Sequence, residues 1–374
     1  MVRPFGKRSG WVELAAALVA IWTASTSLAQ DLVFGANRWK SCAPPQVPEC
    51  AKPEVPPSTP PSIVTPPPTI PPGAVAPQVP LEPTLPAERF AALGGETVAL
   101  ADQTAVGYID PAIPMTQFRL RFDAAYRDNR PDRAEFFYPK CGCFKIAGLD
   151  PNAPGPPKPE TRVDYQELSS YFEIAPSERF SGFIEIPVRW INPVVNDNAS
   201  GISDINAGFK WAFVYNQDQV ATFQFRTYTP TGDAFKGLGT DHVSLEPAFL
   251  LFQRLTDRVN FYGEVRDWIP IGGTDFAGNV IRYGIGLDYG LFDNGHFRVR
   301  PVAEFVGWTV LGGKEFANPP GVVLDAEGDT IVNAKIGSRF WFGNRSDIYI
   351  GYGRALTGEV WYKDILRLEY RLVF

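Results

Sequence analysis

The C-terminal segment of the chain, residues 361–374, alternates apolar and charged residues with a period of two. Its apolar members are Leu366, Leu368, Tyr370, Leu372 and Phe374, and Arg367, Glu369 and Arg371 stand between them. Successive side chains of a β-strand point to opposite faces, so this pattern predicts a strand with one apolar face and one charged face. Strands of this kind have to turn their apolar faces toward a core or toward lipid.

The same alternation predicts twelve strands, joined by alternately long and short connections. They span 117–126, 166–175, 181–191, 202–214, 219–229, 243–253, 258–269, 279–291, 296–309, 330–342, 346–355 and 361–374. A secreted soluble sandwich has a similar alternation. The even strand count, the loop asymmetry and the terminal aromatic Phe374, which resembles the signal read by the outer-membrane assembly machinery, favour a barrel. The predicted fold is all-β, an antiparallel transmembrane β-barrel of about twelve strands.

The residues before the barrel differ in composition. Residues 1–29 carry basic residues, an apolar run and small residues at a cleavage site, which is typical of a secretory signal peptide. Residues 30–86 are rich in proline, which predicts a disordered, extended periplasmic tether. Residues 87–116 are a lead-in or plug segment, and residues 117–374 form the barrel. The predicted location is the outer membrane, with the N-terminal tether in the periplasm.

Alternation also predicts which side chains line the barrel lumen. The candidates are Arg119, Arg121, Glu185, Arg189, Arg226, Glu246, Glu264, Arg266, Arg282, Arg298, Arg300, Glu304, Lys335, Arg339, Arg367, Glu369 and Arg371. Charged groups in a narrow space must be paired or hydrated, so these residues form either a closed network of ion pairs or the wall of an aqueous channel. Twelve strands lie between the small barrels that side chains fill and the large barrels that hold a pore, so both interpretations stay open.

The six tryptophans of the predicted barrel all lie near strand ends, where an aromatic girdle is expected. By alternation, only Trp190 and Trp211 point outward. The other four, Trp268, Trp308, Trp341 and Trp361, either follow a local bulge or line the two mouths.

One predicted hairpin carries sequence motifs that resemble those of a known family. Pro230, Thr231, Gly232 and Asp233 form a PTGD segment, and Gly237, Gly239 and Thr240 follow in a glycine-rich turn. This hairpin is similar to one in the outer-membrane proteins called the MetA-pathway of phenol degradation family. The resemblance implies a barrel like the fatty-acid transporters, which passes small apolar compounds across the outer membrane. An equally good interpretation of Thr231, Gly232 and Asp233 is a simple turn, in which glycine permits positive φ.

Catalysis, metals and cofactors find little support in the sequence. Of the two histidines, only His242, between Asp241 and Ser244, lies near the predicted outer rim, and no nucleophile motif surrounds Ser244. The aspartate-rich loops lack the spacing of known calcium sites. A net charge of −6 disfavours nucleic-acid binding. We therefore expect neither enzymatic activity nor a bound metal or cofactor.

The four cysteines fall into two pairs on opposite sides of the predicted membrane. Cys42 and Cys50 lie in the tether, and Cys141 and Cys143 lie in the first long loop. This topology leaves one connectivity, with each pair bridged within itself.

The predicted function is passive passage of small molecules through the barrel, which the resemblance extends to apolar ones. The alternative is a closed structural barrel that anchors the periplasmic tether or displays an extracellular interaction loop. In either case the expected partners are outer-membrane lipid and the outer-membrane assembly machinery, and for a channel also small-molecule solutes.

Overall fold

The computed structural model describes residues 104–128, 155, 156, 158, 160, 162–273, 276–316, 323–358 and 360–374. The predicted signal peptide and tether, residues 87–103 of the predicted lead-in and the candidate cysteines Cys42, Cys50, Cys141 and Cys143 lie outside these ranges. Within them, no helix has both the length and the hydropathy to cross a membrane.

Twelve antiparallel strands form the barrel, as predicted. They are β1 Gln117–Asp128, β2 Val163–Ser177, β3 Phe180–Pro193, β4 Asn206–Tyr215, β5 Gln219–Tyr228, β6 Val243–Arg254, β7 Val259–Ile271, β8 Val280–Tyr289, β9 Phe297–Val310, β10 Thr330–Phe342, β11 Ser346–Ala355 and β12 Asp364–Val373. Four short segments accompany them. Ala199–Ile202 pairs with β3, Phe292–Asp293 pairs with β9, and Lys314–Phe316 pairs with Val323–Asp325 in a separate small sheet.

Pairing of the first and last strands closes the barrel. Gln117 of β1 lies opposite Val373 of β12, and the register continues to Tyr126 opposite Asp364. Each strand also pairs with its sequence neighbour, so the backbone groups of the strands are bonded around the full circle. A closed ladder of this kind leaves no edge strand, which is the condition for crossing a bilayer with β-structure.

The two ends of the barrel differ in the length of their connections. Short turns at 178–179, 216–218, 255–258 and 343–345 lie at the end where β1 begins and β12 ends, and we call this the short-turn end. The strand ends that flank residues 129–162, 194–205, 229–242 and 311–329 lie at the other end, which we call the long-loop end. The predicted alternation of long and short connections is therefore present.

The outer surface of the barrel is apolar. Leu368 and Tyr370 of β12 are 49% and 40% exposed, whereas Glu369 and Arg371 between them are each 1% exposed. The same contrast holds on other strands, where the exposed apolar residues include Phe172, Ile184, Phe249, Ile285, Phe305, Ile336 and Ile350. An apolar exterior around a charged interior is typical of transmembrane barrels and is the reverse of a soluble core.

The tryptophans divide as alternation predicts. Trp190 and Trp211 are exposed on the outer surface. Trp268, Trp308, Trp341 and Trp361 are buried inside, and three of these meet at the long-loop end, where the ring of Trp361 lies 6.0 Å from Trp268 and 5.0 Å from Trp308. Inward tryptophans therefore narrow the lumen near that end.

Two predicted strands begin three or more residues too early. The strand predicted at 202–214 begins at Asn206, because the Asp204 carboxylate binds the amide nitrogens of Gly232 (3.0 Å) and Thr240 (2.8 Å) in the neighbouring loop, away from any ladder. The strand predicted at 361–374 begins at Asp364, since Trp361 belongs to the preceding loop and packs inside the barrel.

A charge on the outward face of β12 should destabilise the barrel according to its depth. We expect Leu368→Arg, near the middle of the strand, to cost about 2–4 kcal/mol, and Leu372→Arg, near the strand end, to cost less. Leu368→Met is the control, because it keeps the side chain apolar. Heat-modifiable gel migration and urea unfolding in lipid measure the effect, and equal stability of all three variants would contradict an outward, lipid-facing position for Leu368.

Candidate functional site

Residues 104–116, which we call the lumen segment, lie inside the barrel without forming a strand. Ala105 and Ile113 are fully buried and Met115 is 1% exposed. The residues that bind this segment come from strands all around the circle, namely Glu173 of β2, Thr222 of β5, Glu264 of β7, Arg282 of β8, Glu304 of β9, Arg339 of β10 and Arg367 of β12. Contacts with strands on every side place the segment in the lumen.

Arginines of the wall bind the carbonyl oxygens at the start of the lumen segment. Arg371 donates to Thr104 O at 3.2 Å, and Arg339 donates to Ala105 O at 3.3 Å and to Val106 O at 2.6 Å. Arg367 donates to Gly107 O at 2.5 Å, and Arg282 donates to Tyr108 O at 2.6 Å. Consecutive carbonyls from 104 to 108 thus find donors in side chains, as buried carbonyls away from a ladder must.

Glu304 of β9 binds the amide nitrogens of the same stretch. Its carboxylate accepts hydrogen bonds from Gly107 N at 3.3 Å, Tyr108 N at 3.0 Å and Ile109 N at 2.8 Å. Glu304 is 1% exposed, so water cannot replace these donors. A carboxylate that receives several N–H donors is a strong, charge-assisted acceptor, and Glu304 is therefore the main anchor of the segment.

Asp110 binds the wall through its charged side chain, in addition to the backbone contacts of the segment. Its carboxylate lies 2.9 Å from the Arg226 guanidinium and 3.1 Å from that of Arg266, and its amide nitrogen donates to Glu264 at 3.2 Å. Arg266 also binds Glu246 at 2.8 Å. The segment therefore takes part in the ion-pair network of the wall.

Glycines of the wall make room for the lumen segment. The ring of Tyr349 occupies the space above Gly337 and Gly351, and a Cβ on Gly107 would lie 2.1 Å from that ring. On β8, Gly284 and Gly286 face Ile109, which would lie 3.1 Å and 3.3 Å from a Cβ placed on them. Side chains at these inward positions would fill the volume that the segment takes.

The lumen segment begins and ends at the short-turn end. Thr104 contacts Arg371 near the end of β12, and Thr116 leads into β1 beside Phe374, whose amide nitrogen donates to Thr116 O at 3.0 Å. In between, Tyr108 and Asp110 reach Arg282 and Arg226, which lie toward the long-loop end of their strands. The segment is thus a re-entrant loop.

Each of the predicted lumen residues lies on the inner face, buried or half-buried. Several of them, including four arginines that also bind the segment, pair with one another or with further carboxylates. These pairs are Arg189 with Glu167, Arg121 with Glu185, Arg226 with Glu185 and Glu246, Arg300 with Asp288, Arg119 and Arg339 with Glu369, Arg371 with Asp347 and Arg367 with Asp123. Arg298 donates to Gly343 O at 3.3 Å and lies over the ring of Trp341.

A cavity of about 150 Å³ lies between the lumen segment and the long-loop end. Tyr108 and Lys335 are among its lining residues, with Trp308 and Tyr362 beside them. Tyr362 precedes β12, outside the strands, and burial raises the pKa of its phenol to about 12. The phenol therefore stays protonated at neutral pH, and its oxygen accepts a hydrogen bond from Lys335 Nζ at 2.9 Å.

The PTGD segment joins two loops at the rim of this cavity. Thr231 Oγ1 donates to Ser203 O at 3.0 Å and accepts from Ile205 N at 2.8 Å. Gly232 lies so close to the next turn that a Cβ there would be 2.3 Å from Leu238 O. Pro230 is exposed, and Asp233, which is half-buried, pairs with Lys236 at 2.9 Å. In this structure the segment is a packed turn that holds the β5–β6 loop against the loop before β4.

The candidate catalytic residues do not form a constellation. His242 Nδ1 lies 2.9 Å from Thr240 O, and no hydrogen bond joins His242 to Asp241 or Ser244 among the described residues. Asp241 is exposed and has a φ of 61°. In the described ranges, no group of three or more His, Cys, Asp or Glu residues could hold a metal ion. The expected lack of enzymatic activity stays a prediction.

Comparisons with known proteins find likeness in fold only. No protein-family model matches the sequence, and no curated protein matches it, so the resemblance to the MetA-pathway of phenol degradation family stays a prediction. Similar solved structures include an outer-membrane channel from Pseudomonas putida F1 (12% identity, TM-score 0.45, covering 71% of this chain and 98% of the other). The NanC porin has 10% identity and a TM-score of 0.40 and covers 68% of this chain and 98% of its own. The β domain of the Bordetella autotransporter BrkA has 11% identity and a TM-score of 0.42, with 70% and 100% covered. At this level of similarity the function has to be inferred from the side chains of this chain.

Replacing Glu304 should loosen the lumen segment without opening the barrel wall. Glu304→Gln removes the charge that receives Gly107, Tyr108 and Ile109 N–H, which should cost about 1–3 kcal/mol of local stability. We expect amide hydrogen exchange across 105–110 to become at least tenfold faster. Glu246→Gln is the matched control, because Glu246 is an equally buried lumen carboxylate that pairs with Arg266 but does not bind the segment. Equal exchange rates in the two variants would show that Glu304 does not anchor the segment.

Proposed function

We propose that the protein is an outer-membrane channel for small solutes whose lumen is closed by residues 104–116 and opens when this segment withdraws toward the short-turn end. Opening of this kind is supported by the bonds that hold the segment in the lumen. Residues 104–114 are bound by side chains of the wall and share no strand ladder with it. The segment can therefore leave while every strand pair of the barrel stays intact.

The wall keeps its ion pairs when the segment leaves. Arg339 also binds Glu369 at 2.8 Å, and Arg367 also binds Asp123 at 2.6 Å. Glu304 lies directly opposite Lys335 in the register of β9 and β10, so these two residues can pair once the segment no longer occupies Glu304. A wall that stays neutralised lowers the free-energy cost of opening, since no lumen charge is left buried alone.

The chemistry of the wall favours polar solutes. Arginine and carboxylate side chains line the lumen from end to end and would be hydrated in an open channel. Small hydrated or charged molecules suit such a lining, as in porins, whose interior is polar. The apolar cargo implied by the family resemblance stays a prediction.

We also infer that the barrel lies in the outer membrane with its short-turn end toward the periplasm. The apolar exterior supports contact with outer-membrane lipid, and the aromatic C-terminus supports recognition by the outer-membrane assembly machinery. Short turns of such barrels face the periplasm, which agrees with a periplasmic tether before residue 104.

The alternative is a closed barrel that anchors the tether or displays a loop. The density of buried ion pairs around the lumen segment favours it, because arginines such as Arg339 and Arg371, each 1% exposed, bind both the segment and wall carboxylates. In that case the segment never withdraws. A channel conducts ions across a bilayer when the segment withdraws, whereas a closed barrel does not.

Deleting residues 104–114 should convert a poorly conducting barrel into a stable open channel. In planar bilayers we expect the full chain to show little conductance with brief openings, and the deletion variant to show steady ohmic conductance. A deletion of equal length at 60–70, in the predicted tether, is the control and should behave as the full chain does. A deletion variant that migrates as a folded barrel but conducts no better than the full chain would favour the closed anchor.

A further inference from the structure

The cavity at the long-loop end is lined by residues of two kinds. Charged residues such as Arg121, Arg189 and Arg367 line it with their carboxylate partners, and the aromatic residues Tyr108, Trp308 and Tyr362 line it as well. Lys335 of β10 lies near these aromatic residues. Its ammonium nitrogen is 4.0 Å from the ring centre of Tyr108, 5.3 Å from that of Trp308 and 5.5 Å from that of Tyr362.

The carboxylates that line the cavity are all occupied. Asp123 receives two hydrogen bonds from Arg367, at 2.7 Å and 2.6 Å, and Glu167 receives Arg189 Nε at 2.8 Å. Asp110 receives Arg226 and Arg266, Glu185 receives Arg121 and Arg226, and Asp204 receives the amides of Gly232 and Thr240. The cavity therefore has no carboxylate to spare.

In the described part of the chain Lys335 makes no direct ion pair, although Glu304 lies opposite it across the ladder. It is 3% exposed, and its one hydrogen bond goes to the Tyr362 phenol oxygen at 2.9 Å. Among the described residues, no carboxylate oxygen lies within 4.0 Å of its nitrogen, because Glu304 across the ladder is engaged by the amides of the lumen segment. A buried ammonium without an anion is costly, whereas burying it with one is far less so.

A residue that lines the cavity carries a second buried donor without a partner. The indole Nε1 of Trp308 is buried and has no hydrogen-bond acceptor. Trp308 and Lys335 both line the cavity, so a ligand bound there lies beside both residues. Buried donors without partners cost about 1–3 kcal/mol each, which an acceptor on a ligand would recover.

We infer that this cavity binds a small organic monoanion, with a carboxylate on Lys335 and a flat, ring-sized body against Trp308 and Tyr362. Of the cations that line the cavity, Lys335 alone makes no ion pair within 4.0 Å among the described residues, which favours a ligand with a single negative charge. The volume of about 150 Å³ gives the size, because a protein cavity of that volume holds one benzene ring. The aromatic side chains of the wall favour a flat ligand, because aromatic rings stack on one another. Binding does not depend on whether the barrel conducts.

Calorimetric titration of the purified full-length barrel with benzoate tests this site. Benzamide is the neutral analogue of the same shape, and benzylamine is the cationic analogue. We expect saturable binding of benzoate, at least tenfold weaker binding of benzamide and none of benzylamine. Equal binding of benzoate and benzamide, or no binding of benzoate, would overturn the inference.

Variants of the cavity locate the binding. Lys335→Met keeps the length and apolar stem of the side chain but removes the charge, and should abolish benzoate binding. Lys335→Arg should retain it. Trp308→Phe keeps a ring but removes the donor and should weaken binding several-fold, which tests the site even if Lys335→Met fails to fold. Lys236→Met, in an exposed loop, is the control and should bind as the parent does. Unchanged benzoate binding in both Lys335→Met and Trp308→Phe would overturn the site.

Discussion

The backbone of residues 104–116 runs inside a closed barrel, where each peptide N–H and C=O needs a hydrogen-bond partner. The strands cannot supply these partners, because their own backbone groups are bonded to one another around the full circle. The wall therefore supplies side chains instead, with Glu304 for the N–H groups and Arg339 and Arg282 for carbonyls. This requirement accounts for a lumen rich in long charged side chains and for the glycines that leave space between them.

The same charges also bind one another, so the proposed withdrawal of the segment leaves most of them paired. Arg339 contacts both the lumen segment and Glu369, so it keeps a counter-ion when the segment is absent. Glu304 is the exception, since its acceptor capacity is taken up by the segment while Lys335, its register neighbour, has no carboxylate. Among the described residues, a lumen cation without a direct ion pair thus lies beside the anchor of the segment. A bound anion at Lys335 and a withdrawn segment are two ways to satisfy it.

Period-two alternation predicts most of the barrel because it depends only on residues that are neighbours in sequence. It predicts strand β12, the inward orientation of Arg367 and Glu369, and the outward orientation of Trp190 and Trp211. It cannot show that Glu304 binds Ile109, because those residues are 195 positions apart and no local pattern links them. The sequence carries only an indirect sign that the lumen is occupied. Gly284 and Gly286, at inward positions of a strand, leave a volume that something else in the chain has to fill.

The most direct test of the occupied lumen is the reactivity of a thiol placed within it. In a chain whose four cysteines are replaced by serine, Ala112→Cys puts a thiol at a position that is 2% exposed, and Asp218→Cys puts one in an exposed turn at the short-turn end. A charged, membrane-impermeant thiol reagent should modify the Asp218→Cys protein readily. The Ala112→Cys protein should react only after unfolding. Equally fast modification of both folded proteins would contradict a lumen closed by residues 104–116.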